Sequence, residues 1–422
     1  MATAPIVLAA AAAAPAVVRR VLDPSGAKRL EISLSLASRP TRTLSRPADE
    51  AVRRGLARIA GVKGGGDGAL AAAVALLRQE DGSEICLDAP AEEAWSSAGR
   101  LRVGGETVEV LYDPPEVVEL ASPAFPLVGV PLAPLCRTRR CEAGEVQLRW
   151  EAASAPAEAG PTSQWRPVGS GPSFAPPAGL AGHNLRVVAT PPPLPGRSPL
   201  ETSRELGSVV EPPPRPLLEA RLRSLGGGAE GGGGEGGDRL RVMSYNCLAD
   251  TYRRSWDEPG SVHSYCDPSL TAGGLRLPRI LSEVLAASPD VAALQEVDVS
   301  WARRFWEPTL AAAGYAMAFA PKASASSNEG LAVAWRTSAF ELVRARVCRL
   351  DLREPPPPLA EYLSQREGTA AAVRSLPSVA QLIVLRQRGG ARRLIVANTH
   401  LYFANPAVHV RLMQSAALVA EA

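Results

Sequence analysis

Three polar strings far apart in the chain, Ser244-Tyr245-Asn246, Leu294-Gln295-Glu296 and Asn398-Thr399-His400, each close an apolar run and carry residue types suited to phosphoryl chemistry. A carboxylate set immediately beyond a buried strand is held rigidly, and a hard Mg²⁺ ion takes oxygen ligands, so Glu296 is the candidate metal ligand. Asn246 can orient a ligand carboxylate or donate to a phosphate oxygen through its amide. His400 can donate to a nonbridging phosphate oxygen and so stabilise charge building in a transition state. Together the three imply metal-dependent cleavage of a phosphodiester. Each type also has a plainer use: a lone strand-end glutamate is usually solvated, an asparagine usually turns the chain, and a histidine is often structural. The weight therefore lies in the combination. The other histidines, His183, His263 and His409, have weaker settings. No His/Cys cluster has transition-metal spacing, and no G-x-S-x-G nucleophile elbow is present. Gly64-Gly65-Gly66-Asp67-Gly68 lacks the Lys-Ser/Thr ending that a phosphate loop requires.

The elements that must position these residues alternate in type. Leu240 to Tyr245 reads as a strand, and Pro278 to Ala287 as a helix with Ile280, Leu281, Val284 and Leu285 apolar. Pro289-Asp290 is a turn, and Val291 to Leu294 a fully apolar strand. A helix over Trp301 to Ala313 follows, then strands at Leu331 to Trp335, Gln381 to Leu385 and Leu394 to Ala397, with a proline-rich surface excursion at Pro355 to Pro358. This is an α/β pattern. Upstream, Leu30, Ile32, Leu34 and Leu36 alternate with polar or small residues as in a half-buried strand. Thr107 to Tyr112, Val146 to Trp150 and Leu185 to Ala189 are similar, and Pro47 to Ile59 reads as a helix with Val52, Leu56 and Ile59 on one face.

At 422 residues and 46% apolar content the chain can bury at least two cores, and a net charge of +3 neither demands nor excludes a nucleic-acid substrate. The apolar run from Ile6 to Val18 is shorter than the roughly 20 residues of a membrane-spanning helix, so no membrane residence is expected. No acidic residue precedes Asp23, while Arg19 and Arg20 follow the apolar run, which suits a mitochondrial targeting segment over residues 1–28. A β-rich N-terminal domain is expected over 29–210. A Pro/Gly-rich linker follows over 211–238, with Pro212-Pro213-Pro214 stiff and Gly226 to Gly237 flexible, and a catalytic domain over 239–422. The six cysteines have no paired C-x-x-C spacing, which argues against a zinc site and against a dense disulfide framework.

The strings Met243-Ser244-Tyr245-Asn246-Cys247-Leu248-Ala249-Asp250-Thr251-Tyr252, Tyr265-Cys266, Leu294-Gln295-Glu296-Val297-Asp298, Glu329-Gly330-Leu331-Ala332 and Ala397-Asn398-Thr399-His400-Leu401-Tyr402 together resemble the exonuclease-endonuclease-phosphatase superfamily, in its branch of RNA deadenylases. The resemblance is strong after Asp238 and weak before it. It implies a two-sheet sandwich flanked by helices, here incomplete, preceded by the β-rich N-terminal domain. It also implies Mg²⁺ as cofactor and RNA with adenylate 3′ ends or 2′,5′-oligoadenylate as substrate, with 5′-AMP released in the mitochondrial matrix or, alternatively, the cytoplasm. By the same resemblance Glu296 binds the metal, Asn246 lies beside metal and scissile phosphate, and His400 contacts the phosphate. Asn398 and Tyr402 fall on the substrate side, Asn398 positioning the loop and Tyr402 lining the pocket.

Two departures qualify the likeness. Phe403-Ala404-Asn405-Pro406 replaces the family's tryptophan and nearby proline, so base stacking there is expected to differ. The Gly-Asp-Phe-Asn segment with the catalytic aspartate, and the late Ser-Asp-His segment, are not found after Asn398. These 422 residues alone are therefore expected to lack activity and to leave open sheet edges. The alternatives are a noncatalytic RNA- or protein-binding adaptor and another metal phosphodiesterase of the same superfamily.

Overall fold

The computed structural model describes residues 14–36, 39–62, 67–123, 125–154, 164–224, 239–253, 266–324, 327–404 and 406–422. The expected glycine linker at 226–237, the glycines at 64–66 and the first part of the expected targeting segment lie outside them. Contacts divide the chain into two compact units. The first comprises Met1–Val118, Thr138–Val146 and Thr190–Glu201, the second Glu119–Arg137, Gln147–Ala189 and Thr202–Ala422.

In the first unit the alternation of Leu30, Ile32, Leu34 and Leu36 is that of a strand, Lys28–Leu36, with those four residues buried. It belongs to a six-stranded sheet whose order is Arg39–Pro47, Lys28–Leu36, Ala16–Leu22, Glu106–Tyr112, Ala98–Val103, Val74–Arg78. The helices Arg53–Ala60 and Ala91–Ser97 bury Leu56, Ile59 and Trp95 in the same core as Leu30, Ile32 and Val110. The helix begins later than Pro47 because Pro47 still pairs with Arg29 as the end of a strand. Within the 1–28 segment read as a targeting sequence, Ala16–Leu22 is a strand in the middle of this sheet. It runs antiparallel to Lys28–Leu36 and parallel to Glu106–Tyr112, and Ala16 and Val18 are fully buried.

The strand expectations between Val146 and Ala189 are met in the second unit, so the stretch read as one β-rich domain over 29–210 contributes a sheet to each unit. Its four-stranded sheet has the order Arg166–Ser170, Gln147–Ala153, Asn184–Thr190, Thr202–Ser208. Buried Trp150 stacks on Phe174 with ring centroids 5.5 Å apart. Within the stretch expected as linker, Pro216–Ser224 is a helix, and Arg215 just before it donates to the Ser282 carbonyl at 2.8 Å.

The rest of the second unit is a two-sheet sandwich flanked by helices. One sheet has the order Val242–Asn246, Val291–Asp298, Glu329–Arg336, Tyr315–Pro321; the other has the order Phe340–Arg349, Val379–Gln387, Arg393–Thr399. They pack through Val291, Val333, Trp335, Phe340, Ile383 and Leu385. Val291–Asp298 is buried along nearly its whole length because it is a central strand covered on both faces, which explains why its sequence is an unbroken apolar run. On its outer side lie helix Gly273–Ala287 and the helical stretch 299–312, through Leu281, Val284, Phe305 and Trp306. The 301–313 helix is interrupted by a π-helical turn at Ala302–Trp306, just before Pro308, whose missing N–H breaks the regular ladder. The second sheet is covered by Pro357–Ser364, Glu367–Arg374 and Val408–Glu421. The proline run at 355–358 therefore starts a helix, with Pro357 and Pro358 in its first turn where a missing N–H costs nothing. Among the described residues no helix is long and apolar enough to cross a membrane.

Candidate active site

The site starts from an irregularity in a buried strand. The pairing of Val291–Asp298 with Glu329–Arg336 slips between Leu294 and Val297, so that Gln295 and Glu296 together face a single position. Glu296 adopts φ 55°, a left-handed conformation costing a non-glycine residue on the order of 1 kcal/mol or more. Such bulges re-aim a side chain at the end of a ladder. The carbonyls freed here are met from the other sheet. Asn398 donates through Nδ2 to the Leu294 carbonyl at 2.9 Å and the Ala332 carbonyl at 3.0 Å, while its Oδ1 accepts from Gln295 Nε2 at 2.8 Å. Asn398 is 2% exposed and its amide is fully used by the protein, so the structure gives it to the bulge and not to a ligand.

A second strand end meets the bulge. Asn246 Nδ2 donates to Glu296 Oε1 at 2.8 Å, and Asn246 Oδ1 accepts the Leu248 N–H at 2.8 Å. Leu248 turns the chain with φ 57°, and the next two amides continue the pattern. The Ala249 N–H reaches Glu296 Oε2 at 3.1 Å, and the Asp250 N–H reaches both Asp298 oxygens at 3.1 and 3.0 Å. Three consecutive N–H groups thus hold Asn246, Glu296 and Asp298 in fixed orientations. The loop is anchored in turn by Arg276, whose Nη2 lies 2.7 Å from Asp250 Oδ1, and by the Trp301 indole, which donates to Asp250 Oδ2 at 2.9 Å. Gly273 is required at this point, since a Cβ there would meet Asp250 Oδ2 at 2.6 Å and Trp301 Nε1 at 2.8 Å.

His400 completes the cluster: its Nδ1 lies 3.6 Å from Glu296 Oε1 and is buried without a hydrogen-bond partner among the described residues. Tyr402 is set differently. Its backbone N–H donates to Gln414 Oε1 at 3.0 Å, and its ring packs beside the helix-covered core of Leu350, Val373 and Met413. The structure therefore brings Glu296, Asn246, Asn398 and His400 together and puts Tyr402 among packing residues.

Two carboxylates beside the site carried no assignment from sequence. Asp298 is 6% exposed, and its pKa is pushed up to about 6, chiefly by burial and further by the carboxylates of Asp250 and Glu329, against the Asp250 N–H and Arg276. Glu329, 1% exposed, takes the Tyr252 hydroxyl and the Lys322 ammonium on one oxygen. Burial, then the bond to Glu329, raises the Tyr252 pKa. Both acids stand in the strings Leu-Gln-Glu-Val-Asp and Glu-Gly-Leu-Ala, but nothing in their spacing says that they face the same loop.

The donor set fits a divalent cation. Glu296 is 8% exposed, each carboxylate oxygen accepts one N–H, and no lysine or arginine pairs with it among the described residues. A buried carboxylate without a countercharge is costly unless a cation compensates it. Mg²⁺ is commonly bound by one or two carboxylates with waters and substrate phosphates supplying the rest. No group of three or more His, Cys, Asp or Glu suited to a metal occurs among the described residues, so Glu296 would hold the ion with such outside ligands.

Fold and cluster together define a two-sheet sandwich with a buried carboxylate at the joint of two strand ends, and residues 243–407 match the sequence model of the Endonuclease/Exonuclease/phosphatase family. The chain is similar to 2′,5′-phosphodiesterase 12 of Homo sapiens, 28% identical over 357 residues, which is 78% of this chain and 55% of that protein. It is also similar to the CCR4-Not complex 3′-5′-exoribonuclease subunit Ccr4 of Yarrowia lipolytica, 28% identical over 194 residues, 44% of this chain and 26% of that protein. The crystal structure of ANGEL2, a 2′,3′-cyclic phosphatase, in complex with adenosine-2′,3′-vanadate aligns with a TM-score of 0.35 at 24% identity, covering 43% of this chain and 47% of that one. The chain spans about half the length of the first curated relatives it matches.

Proposed function

We propose that this protein is a magnesium-dependent phosphodiesterase of the 3′-exoribonuclease type, acting on 2′,5′-oligoadenylate and poly(A) RNA and releasing 5′-AMP. The observation that carries the reading is the joint between two strand ends, with the Asn246 amide on the Glu296 carboxylate at 2.8 Å and His400 beside the same oxygen. Bound Mg²⁺ supplies charge neutralisation at the phosphate and lowers the pKa of water. The chain's own residues do the positioning. Asn246 and the Ala249 N–H fix both oxygens of Glu296, and the half-buried His400 imidazole carries Nδ1 without a hydrogen-bond partner among the described residues, a nitrogen it has to offer a phosphate oxygen. The substrate class follows the names of the relatives, 2′,5′-phosphodiesterase 12 and the Ccr4 exoribonuclease subunit. The acid-poor start before Asp23 supports a mitochondrial location, which imaging of a C-terminally tagged chain tests.

The test pairs binding with turnover. Titration with Mg²⁺ or Mn²⁺ is expected to show a site that Glu296→Gln weakens at least tenfold, and any 5′-AMP released from 2′,5′- or 3′,5′-linked adenylates must fall with the same substitution. Metal binding unchanged in Glu296→Gln would refute the assignment. A second reading, a noncatalytic RNA-binding adaptor, is favoured by the single carboxylate at the candidate metal position. It is distinguished by adenylate binding that does not respond to chelator.

A further inference from the structure

The first compact unit holds a cavity of about 290 Å³, lined by Arg20, Lys28, Arg29, Arg140, Glu92 and Leu30 among others. Four of these lining groups are cations, and Glu92 is the one carboxylate of the lining. The cations are fixed from behind. Asp113 accepts from Arg20 Nε at 3.0 Å and from Arg139 Nη2 at 2.6 Å, and it also pairs with Arg140. One carboxylate thus orders three guanidiniums, while Glu116 also pairs with Arg139 at 3.1 Å and Glu92 lies 3.7 Å from Arg20 Nη1, so the four lining cations still outnumber Asp113 and Glu92. Burial pushes the Asp113 carboxyl up, but the bonds from Arg20 and Arg140 and the charge of Arg139 more than offset this and hold it below its ordinary value. Asp113 and Arg140 both take positive φ, 46° and 65°, a strained arrangement that the ion cluster maintains. Arg29 is tied to Ser45 Oγ at 2.9 Å. Lys28 Nζ has no protein partner among the described residues, although it lines the cavity.

Preorganised guanidiniums and an ammonium around an apolar floor suit a compact dianion with several acceptor oxygens. A phosphate monoester has this character, carrying about −1.5 to −2 charges at neutral pH. The cavity stands at the small end of the roughly 300–1,000 Å³ range for ligand sites, which suits a ligand of mononucleotide size. A running phosphodiester strand is disfavoured because the neighbouring cavity, which shares Lys28 and Arg29, is bordered by Asp49, Glu92 and Glu93. We propose that the first unit binds a phosphate monoester at the Arg20, Lys28, Arg29 and Arg140 cavity, borne by a free nucleotide or by the phosphorylated end of an RNA strand.

The test uses the full 422-residue chain carrying Glu296→Gln, in chelator, so that the candidate metal site makes no contribution. Calorimetric titration with 5′-AMP is expected to saturate, while adenosine is expected not to bind. Lys28→Glu should weaken 5′-AMP at least tenfold at unchanged melting temperature, and Arg140→Ala should weaken it likewise. Tighter binding of 5′-AMP than of a 5′-phosphorylated oligoadenylate identifies the free nucleotide as ligand, and the reverse identifies the strand end. Absence of saturable binding by 5′-AMP, inorganic phosphate and the phosphorylated oligonucleotide would overturn the proposal. So would 5′-AMP affinity unchanged in Lys28→Glu.

Discussion

Asn398 shows how a polar residue can serve a reactive site without facing it. Its buried amide answers the carbonyls that the bulge at Gln295 and Glu296 leaves unpaired, so Asn398→Ala strands two acceptors in the core. A loss on the order of 3 kcal/mol is expected, read by urea unfolding; a change below about 0.5 kcal/mol would contradict the role. Asn246 can be probed by charge. Asn246→Asp sets a second carboxylate against Glu296 Oε1, which destabilises the site unless a cation lies between them. The melting temperature of Asn246→Asp is therefore expected to fall in chelator and to recover on adding Mg²⁺ by more than the parent gains. Equal responses would show that no cation sits there. Glu296, Asn246 and His400 were legible in sequence because each ends an apolar run. Asp298 and Glu329 were not, because carboxylates buried against a loop leave no periodic trace.

Elements carry the next layer of constraint. Gly330 follows Glu329 where the neighbouring strand passes so closely that a Cβ would meet Pro321 Cα at 2.7 Å, so the Glu-Gly-Leu-Ala string needs glycine for strand approach. The strand Ala16–Leu22 imposes a different limit. It is hydrogen-bonded along both edges and buries Ala16 and Val18, so a chain starting at Arg29 lacks an interior strand of the six-stranded sheet. Removing residues 1–28 is expected to abolish cooperative unfolding of the first unit, while removing 1–13 preserves it, as followed by hydrogen exchange of the amides of residues 30–36. Comparable protection in both deletions would refute this. Alanine, valine and arginine serve a presequence and a buried strand equally well, so composition alone does not show that Ala16–Leu22 pairs as a strand.

On the scale of the molecule, both units bury carboxylates whose pKa values are held down by arginine. For Glu151, burial acts upward, but hydrogen bonds from Arg149 and Arg186 prevail, as the arginines do at Asp113 in the other unit. A depressed folded pKa adds stability above the unfolded values, here 4.5 and 3.8, and that stability is lost as pH falls through the folded values. Acid unfolding is thus expected to set in below about pH 4.5, and Glu151→Gln should flatten that dependence while lowering stability at pH 7, by circular dichroism. A slope unchanged by the substitution would exclude Glu151 as a source. The α/β pattern, the fully covered strand at Val291 and the residue types at three strand ends follow from the sequence alone, because hydrophobic periodicity records which faces are buried. Tertiary structure decided the bulge that aims Glu296, the use of Asn398 to fill it and the division of the upstream strands between two units. It also gathered arginines from distant strands onto Asp113. Each of these depends on which segments lie side by side, and side-chain spacing along one segment does not encode its neighbour.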